Sequence, residues 1–417
     1  MTVRPQSAHP VLSIAAARGP HVRLRPPRRA RPSRPPSTGS ERQARGAAAR
    51  RSIAGTLAVT AASAYGLAAQ SAVRVASRPV CRDCEIVLRH AFRVGDATGP
   101  GIVPGMSALA RDARGRFYFA SYTAPGEILV FERTGRFLRA LARRGKGPGE
   151  FERISWLHAS RGDTLHVFDS ELGRHTVLSP AFELVRTARL PGFVENAVTL
   201  ANGQIVINAR IPTRESVGQP LHTLSPDGTV ERSFGARAGP YLPGMERALQ
   251  RWLAPAPGNR FWAGHRTAYV IELWDAEGRL HRTVRRDVRW FQPYERSRDL
   301  TPREPPLPFM NAVRRDAGGL LWVIVSVPEP SWAAGLERKH TPEGPRYAIA
   351  DREKVFASVI EIIDPGTGAL LVSQRFARQY VAFFGDRLVA SIGQYPDGGF
   401  YLDLWHVTLA RAKGAGQ

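Results

Sequence analysis

The stretch that decides the fold is Ala110-Arg111-Asp112-Ala113-Arg114-Gly115-Arg116-Phe117-Tyr118-Phe119-Ala120, followed by Glu127-Ile128-Leu129-Val130-Phe131, Thr134-Gly135 and Arg136-Phe137-Leu138-Arg139-Ala140-Leu141. A turn at Asp112 to Gly115 separates two short strands, and a third and fourth follow, the last pair joined by the Thr134-Gly135 turn. Four short antiparallel strands in about 40 residues form one blade of a β-propeller.

The unit recurs along the chain. The second copy has Gly162-Asp163 and Thr164-Leu165-His166-Val167-Phe168-Asp169; the third has Asn202-Gly203 and Ser225-Pro226-Asp227-Gly228. The fourth has Phe261-Trp262 and the turn Asp275-Ala276-Glu277-Gly278; the fifth has Asp316-Ala317-Gly318-Gly319 before Leu320-Leu321-Trp322-Val323. The last has Gly385-Asp386, Leu388-Val389-Ala390-Ser391 and Tyr401-Leu402-Asp403-Leu404-Trp405. A glycine-rich marker recurs between copies: from Gly99 to Gly147 is 48 residues, and from Gly147 to Gly239 is 92, close to twice that period. The segment Glu85 to Val94 precedes a marker, as an outermost strand would, yet has no blade of its own. It is expected to complete the C-terminal blade. The sequence therefore predicts an all-β chain, a six-bladed β-propeller over 84–411 closed by an N-terminal strand. Closure matters because each blade buries its faces only against its neighbours.

The run Ala110 to Phe151 resembles an NHL repeat, with Asp-x-x-Gly, an aromatic strand, Val-Phe before a Gly turn, and Phe-Leu. Its trailing Gly145-Lys146-Gly147-Pro148-Gly149-Glu150-Phe151 resembles the inter-blade loop of secreted bacterial six-bladed propellers of the NHL and TolB-like type. The third to sixth copies lack the Glu-Phe after Gly-Pro.

The chain has 417 residues and a formal net charge of +23. Residues 1–51 hold 12 Arg against the single acid Glu41, and only four Lys occur in the whole chain. An Arg- and Pro-rich segment of this kind cannot pack a core, so 1–49 is expected to be disordered. No nucleic-acid motif accompanies the basic residues, and nucleic acid is not the expected partner. Residues 50–70 begin with Arg50-Arg51, continue through a mild apolar run and end in small residues, which is the layout of an export signal. Arg50-Arg51 also fits a twin-arginine route. A signal beginning at residue 50 implies that translation starts later than Met1. After cleavage no membrane span is expected, and the protein is placed in the periplasm or outside the cell, as a monomer. Residues 71–83 read as a short linker, and 412–417 as a tail. Cys81 and Cys84 are the only cysteines. In an exported protein they are expected to form a local disulfide.

No His-Glu-x-x-His, Gly-x-Ser-x-Gly or phosphate-loop motif is present; Gly145-Lys146-Gly147 lacks the Ser or Thr after Lys that would hold magnesium. The innermost strands of the six copies start with a polar residue before apolar ones: Ser107, Ser155, Asn196, Arg251, Asn311 and Gln379. These could ring one channel mouth, with Arg251 as an anion handle. Polar edges are also ordinary in a water-filled channel, and no carboxylate or His joins the set for acid–base work. No catalytic residue, metal or cofactor is assigned. Gln292–Leu307 and Val327–Ala357 interrupt the pattern as long loops, suited to partner contacts or to solvated excursions. The expectation is an exported, non-catalytic binding or scaffold module for a protein, peptide or glycan. The other class is a propeller enzyme, of the metal-dependent lactonase or lyase kind, working in the central channel.

Overall fold

A computed structural model of the chain describes residues 71–411, apart from 215, 237–243, 343 and 386. The expected disordered arm, the export signal and the tail lie outside the described residues. The protein is all-β, 51% strand and 4% helix. Six sheets form the blades, and in the first five the four antiparallel blade strands lie in chain order. Blade 1 is Ala108–Arg111, Phe117–Ala120, Ile128–Phe131 and Phe137–Leu141. Blade 2 runs from Ile154–Ala159 to Leu184–Arg189, blade 3 from Phe193–Thr199 to Val230–Phe234, and blade 4 from Arg251–Ala256 to Leu280–Arg285. Blade 5 is Phe309–Arg315, Leu321–Pro328, Phe356–Ile363 and Leu370–Phe376.

Blade 6 holds Tyr380–Phe384, Leu388–Gln394 and Phe400–Arg411, and its outermost strand is Cys84–Val94 from the other end of the chain. The register runs from Cys84 opposite Arg411 to Val94 opposite Leu402, with an irregularity between His90 and Phe92. The ring is thus closed by strand exchange. Six apolar clusters fill the six spaces between neighbouring blades. The one between blades 6 and 1 joins Val94, Leu402 and Leu404 to Phe117 and Phe131. The one between blades 5 and 6 joins Ile86 and Val407 to Ile324 and Ile360. Gly135 shows how tightly the closing strand sits: it has φ +89°, and a Cβ there would lie 1.9 Å from the Arg93 carbonyl oxygen.

The Asp-x-x-Gly turns have one mechanism. Asp112 accepts from the Arg116 amide at 2.8 Å and from the Tyr118 hydroxyl at 2.7 Å, while Gly115 donates its amide to the Asp112 carbonyl. Asp316 does the same for the Leu320 amide and the Trp322 indole, and Asp275 for the Arg279 amide and the His281 ring. The carboxylate stands in for backbone partners in the turn and reaches the side chain six residues on. That fixes both the turn and the register of the next strand.

The segment read as a linker is held to the ring. Ser71–Arg74 pairs in parallel with Arg282–Arg285 as a fifth strand of blade 4. The Ala76 and Val80 amides then donate to the Gly368 and Leu370 carbonyls of blade 5, each at 2.8 Å. Cys81 and Cys84 are joined in a disulfide, with Cα atoms 5.4 Å apart, just as the chain enters blade 6. The two long loops touch each other, while most residues of Gln292–Leu307 stay exposed. Val327–Ala357 contains the hairpin Leu336–Thr341 and Gly344–Ile349. The Trp332 indole donates to the Thr301 carbonyl at 3.3 Å, and Leu300, Phe309, Trp332 and Leu336 pack on Ile349, Val355 and Phe356.

Candidate functional site at the channel mouth

In each blade the innermost strand runs away from the face that carries the inter-blade loops. The connections between second and third strands return to that same face. Tyr122, Arg266 and Arg352 lie on such connections in blades 1, 4 and 5, and the loop-borne Arg247 and Tyr294 join them there. This loop-bearing mouth is where a propeller places adaptable side chains on a rigid frame.

Five of the six polar residues proposed for the channel ring, Ser155, Asn196, Arg251, Asn311 and Gln379, are buried, and Ser107 is half-buried. Their hydrogen bonds go largely to the framework. The Ser107 hydroxyl donates to Ala120 in its own blade and to Ile154 of blade 2. Asn311 donates from blade 5 to the Tyr380 carbonyl of blade 6, and Gln379 returns the contact by donating to Ser326 Oγ at 2.7 Å. Asn311 also donates to Ser326, so these two residues come together on one hydroxyl. The Ser155 hydroxyl bonds within blade 2 to Phe168, at 3.3 Å. The Arg251 amide donates to Asn208 of blade 3 and its guanidinium to the Ala248 and Gln250 carbonyls. These residues sit where the repeat places them, at the starts of inner strands, and the side chains of Ser107, Asn311 and Gln379 bond across to a neighbouring blade.

The register re-aims one residue at the start of the inner strand in four of the blades. In blades 2, 3, 5 and 6 the inner strand has an irregularity near its start that skips one residue: Ser155, Glu195, Asn311 and Val381. The equivalent of Ser155 and Asn311 in blade 3 is therefore Glu195, one place before Asn196. A bulge re-aims a side chain without altering the apparent repeat. Glu195 thus puts a carboxylate at the bulge position that Ser155 and Asn311 hold in blades 2 and 5, a residue type absent from the six expected ones. Glu195 has a side chain 8% exposed and pairs with Arg210 of the same blade at 2.9 Å. Burial pushes its carboxyl up to about 7, against the pull of Arg210, Arg266 and Arg247. His265 lies 3.0 Å from Glu272 behind Arg251, and burial together with Arg251 holds its ring below the usual imidazole range.

The mouth is otherwise cationic. Burial, reinforced by Arg247, pulls the Arg266 guanidinium down to about 10. Arg352, which donates to Gln379 at 2.8 Å, is also drawn to about 10 by burial, with the Tyr122 phenol opposing. Burial raises Tyr294, against Arg266 and Arg247. Two groups thus lie on the loop-bearing face: Arg266 with Arg247, Tyr294 and Glu195, and Arg352 with Gln379 and Tyr122. A separate open depression of about 430 Å³ lies on the rim, lined by the outer strands of blades 2 and 3, with Arg189, Val230 and Arg232 among its walls. Among the described residues, the one group of three potential metal-ligating side chains is Cys81, Asp83 and Cys84, remote in sequence from the mouth and containing the disulfide.

The glycine-rich loop after blade 1 is also accounted for. The Glu150 carboxylate accepts from the Gly147 amide at 2.9 Å and from Arg143 at 2.8 Å, which holds it below the usual carboxylate range. Phe151 anchors the loop in the core between blades 1 and 2. The chain's own acid thus occupies an amide that a phosphate loop would offer to its ligand.

No family model matches the chain, and no curated protein matches it either. Solved structures do. A protein of Bacteroides fragilis NCTC 9343 named as exported aligns over 82% of this chain and 99% of its own, at 10% identity and a TM-score of 0.47. Virginiamycin B lyase from Staphylococcus aureus aligns over 78% of this chain and 100% of its own, at 10% identity and 0.42. A member of the DUF4221 family from Bacteroides vulgatus aligns over 78% of this chain and 99% of its own, at 10% identity and a TM-score of 0.53. At that identity the last likeness speaks to fold alone, and the fold is the six-bladed β-propeller.

Proposed function

We propose that this chain is an exported propeller of the NHL or TolB-like type that binds, without transforming, a protein, peptide or glycan at the loop-bearing mouth. The observation that carries this reading is the mouth itself. The buried Arg266 of the blade 4 turn faces Glu195, which pairs with Arg210, and the half-buried Arg352 of the blade 5 turn donates to Gln379, on a frame where Ser107, Asn311 and Gln379 bond from blade to blade. A rigid ring with charged, loop-borne groups at one opening favours recognition of a ligand with acidic groups. The disulfide supports export, since it persists in oxidising compartments. The Bacteroides fragilis protein's name agrees with that assignment without adding to it.

Binding of the purified protein to peptide and glycan arrays tests the reading. Retention of an acidic class is expected, together with its loss in Tyr122→Ala and Arg352→Ala. Binding that survives both substitutions, or no retention on either array, overturns it. The second reading, a channel enzyme of the lactonase or lyase kind, is favoured by Glu195, whose raised carboxyl could exchange a proton near neutral pH. Turnover of a lactone or a polyuronate that is abolished in Glu195→Gln would replace the binding reading with this one.

A further inference from the structure

Among the described residues of the mouth, Arg266 is a buried cation with no ion pair or side-chain hydrogen bond to the propeller frame. It is 3% exposed. Its main chain is locked to both flanking inner-strand starts: the amide donates to the Gln250 carbonyl at 3.1 Å, and the carbonyl accepts from the Met310 amide at 2.9 Å. Its guanidinium carbon lies 4.4 Å from the centre of the Phe309 ring, and its Nε has no hydrogen-bond partner. The groups that face it are Glu195, Arg247 and Tyr294. Glu195, whose Oε1 is 2.9 Å from Arg210 Nε, attracts it across space without a hydrogen bond between the two. The contrast with Arg286 is instructive. That guanidinium, equally buried between blades 4 and 5, has Glu361 at 2.8 Å, and Glu361 also accepts from Tyr269 and Ser373. A desolvated cation beside a second arginine is unfavourable unless an anion completes it. Stacking on an aromatic ring offsets part of that cost and leaves the edge of the guanidinium for a planar acceptor.

We propose that Arg266, with Arg247 and Tyr294 beside it, forms an oxyanion-binding site that takes the carboxylate, phosphate or sulfate group of the ligand at the channel mouth. This rests on the reading of the mouth as the binding face, and it names the chemistry of that ligand's recognised end. Arg266 supplies the fork that matches two oxygens, Phe309 holds it in plane, and Glu195 sets a negative charge near enough to oppose a second anion.

The test uses the full exported chain at pH 8 and constant ionic strength, with sodium chloride as reference. Acetate, inorganic phosphate and sodium sulfate are titrated separately and followed by thermal midpoint and calorimetry. At least one is expected to raise the midpoint saturably, and the three arms identify which oxyanion is preferred. Arg266→Gln should weaken that anion at least 10-fold, and the exposed Arg89→Gln should leave it unchanged. Glu195→Gln should strengthen it several-fold by removing the opposing charge. No saturable response in the wild type, or an undiminished response in Arg266→Gln, overturns the proposal. Should Arg266→Gln fail to fold, unchanged affinity in both Arg247→Gln and Glu195→Gln overturns it instead. Array binding with no oxyanion response would defeat this site alone; an oxyanion response with empty arrays would defeat the macromolecular reading alone.

Discussion

The histidines of blades 2 and 3 show how burial sets the behaviour of single residues. His166 Nδ1 lies 2.9 Å from His175 Nε2, and the two rings stack with centroids 5.2 Å apart. His158 bonds to Thr199 at 2.7 Å, and His222 lies between Ser233 and the Ala209 carbonyl. Burial pulls His158, His175 and His222 down to about 4 and His166 to about 2. An unfolded histidine titrates near 6.5, so the unfolded chain takes up protons that the folded ring refuses. The stability due to these residues is therefore complete above about pH 6.5 and falls as the pH drops from there towards 4. Thermal midpoints across that window should decline steeply, and His175→Asn should remove about one proton from the slope. A flat profile between pH 6.5 and 4 would contradict neutral rings in the folded state. Residue chemistry of this kind is poorly legible in sequence. His166 reads simply as a residue of the Thr164–Asp169 strand, and only the packing shows that its partner is another histidine. Glu195 was hidden for a related reason: a one-residue bulge shifts a side chain without leaving a mark in the composition.

Among the elements, the closing strand has the largest consequence. Cys84–Val94 pairs along its length with Phe400–Arg411, and Ile86 is 2% exposed in the space between blades 5 and 6. Ile86→Ala should cost about 2–5 kcal/mol, as large-to-small core changes do. Val80→Ala, at a side chain 62% exposed, should stay within about 0.5 kcal/mol. Chemical denaturation of the two variants makes the comparison; equal midpoints would mean that the closing strand adds little to the ring. This element was legible because the Gly-Pro-Gly that follows it matches the marker after other blades. The strand Ser71–Arg74 was not. It joins blade 4 through main-chain bonds at an edge, and Ser-Ala-Val-Arg carries no period that distinguishes such a strand from a linker. The mutual packing of the two long loops was equally out of reach, since Trp332 and Thr301 are separated by loops without a repeat to align them.

For the whole molecule, the six inter-blade cores make stability a property of the closed ring, with each blade depending on two neighbours. The N-terminal segment strengthens this by touching blades 4, 5 and 6 in succession before it completes the last sheet. That has a bearing on processing: cleavage after residue 70 would leave this strap intact. If the 50–70 segment acts as the export signal, N-terminal sequencing of the expressed protein is expected to find a start between residues 63 and 71, and a chain beginning at Thr2 would refute export through that segment.

The sequence by itself determined the all-β class, the period, the number of blades and the closure by the early strand. Alternation, Asp-Gly turns and glycine markers are local signals, and a repeat copies them often enough to be read. The tertiary structure alone decided what the mouth is made of. Whether Asn311 faces a ligand or a neighbouring carbonyl, and whether Arg266 meets an acid or another arginine, depends on segments from different blades being brought together. Burial and charge where they meet are sums over several blades, so no single repeat could have announced them.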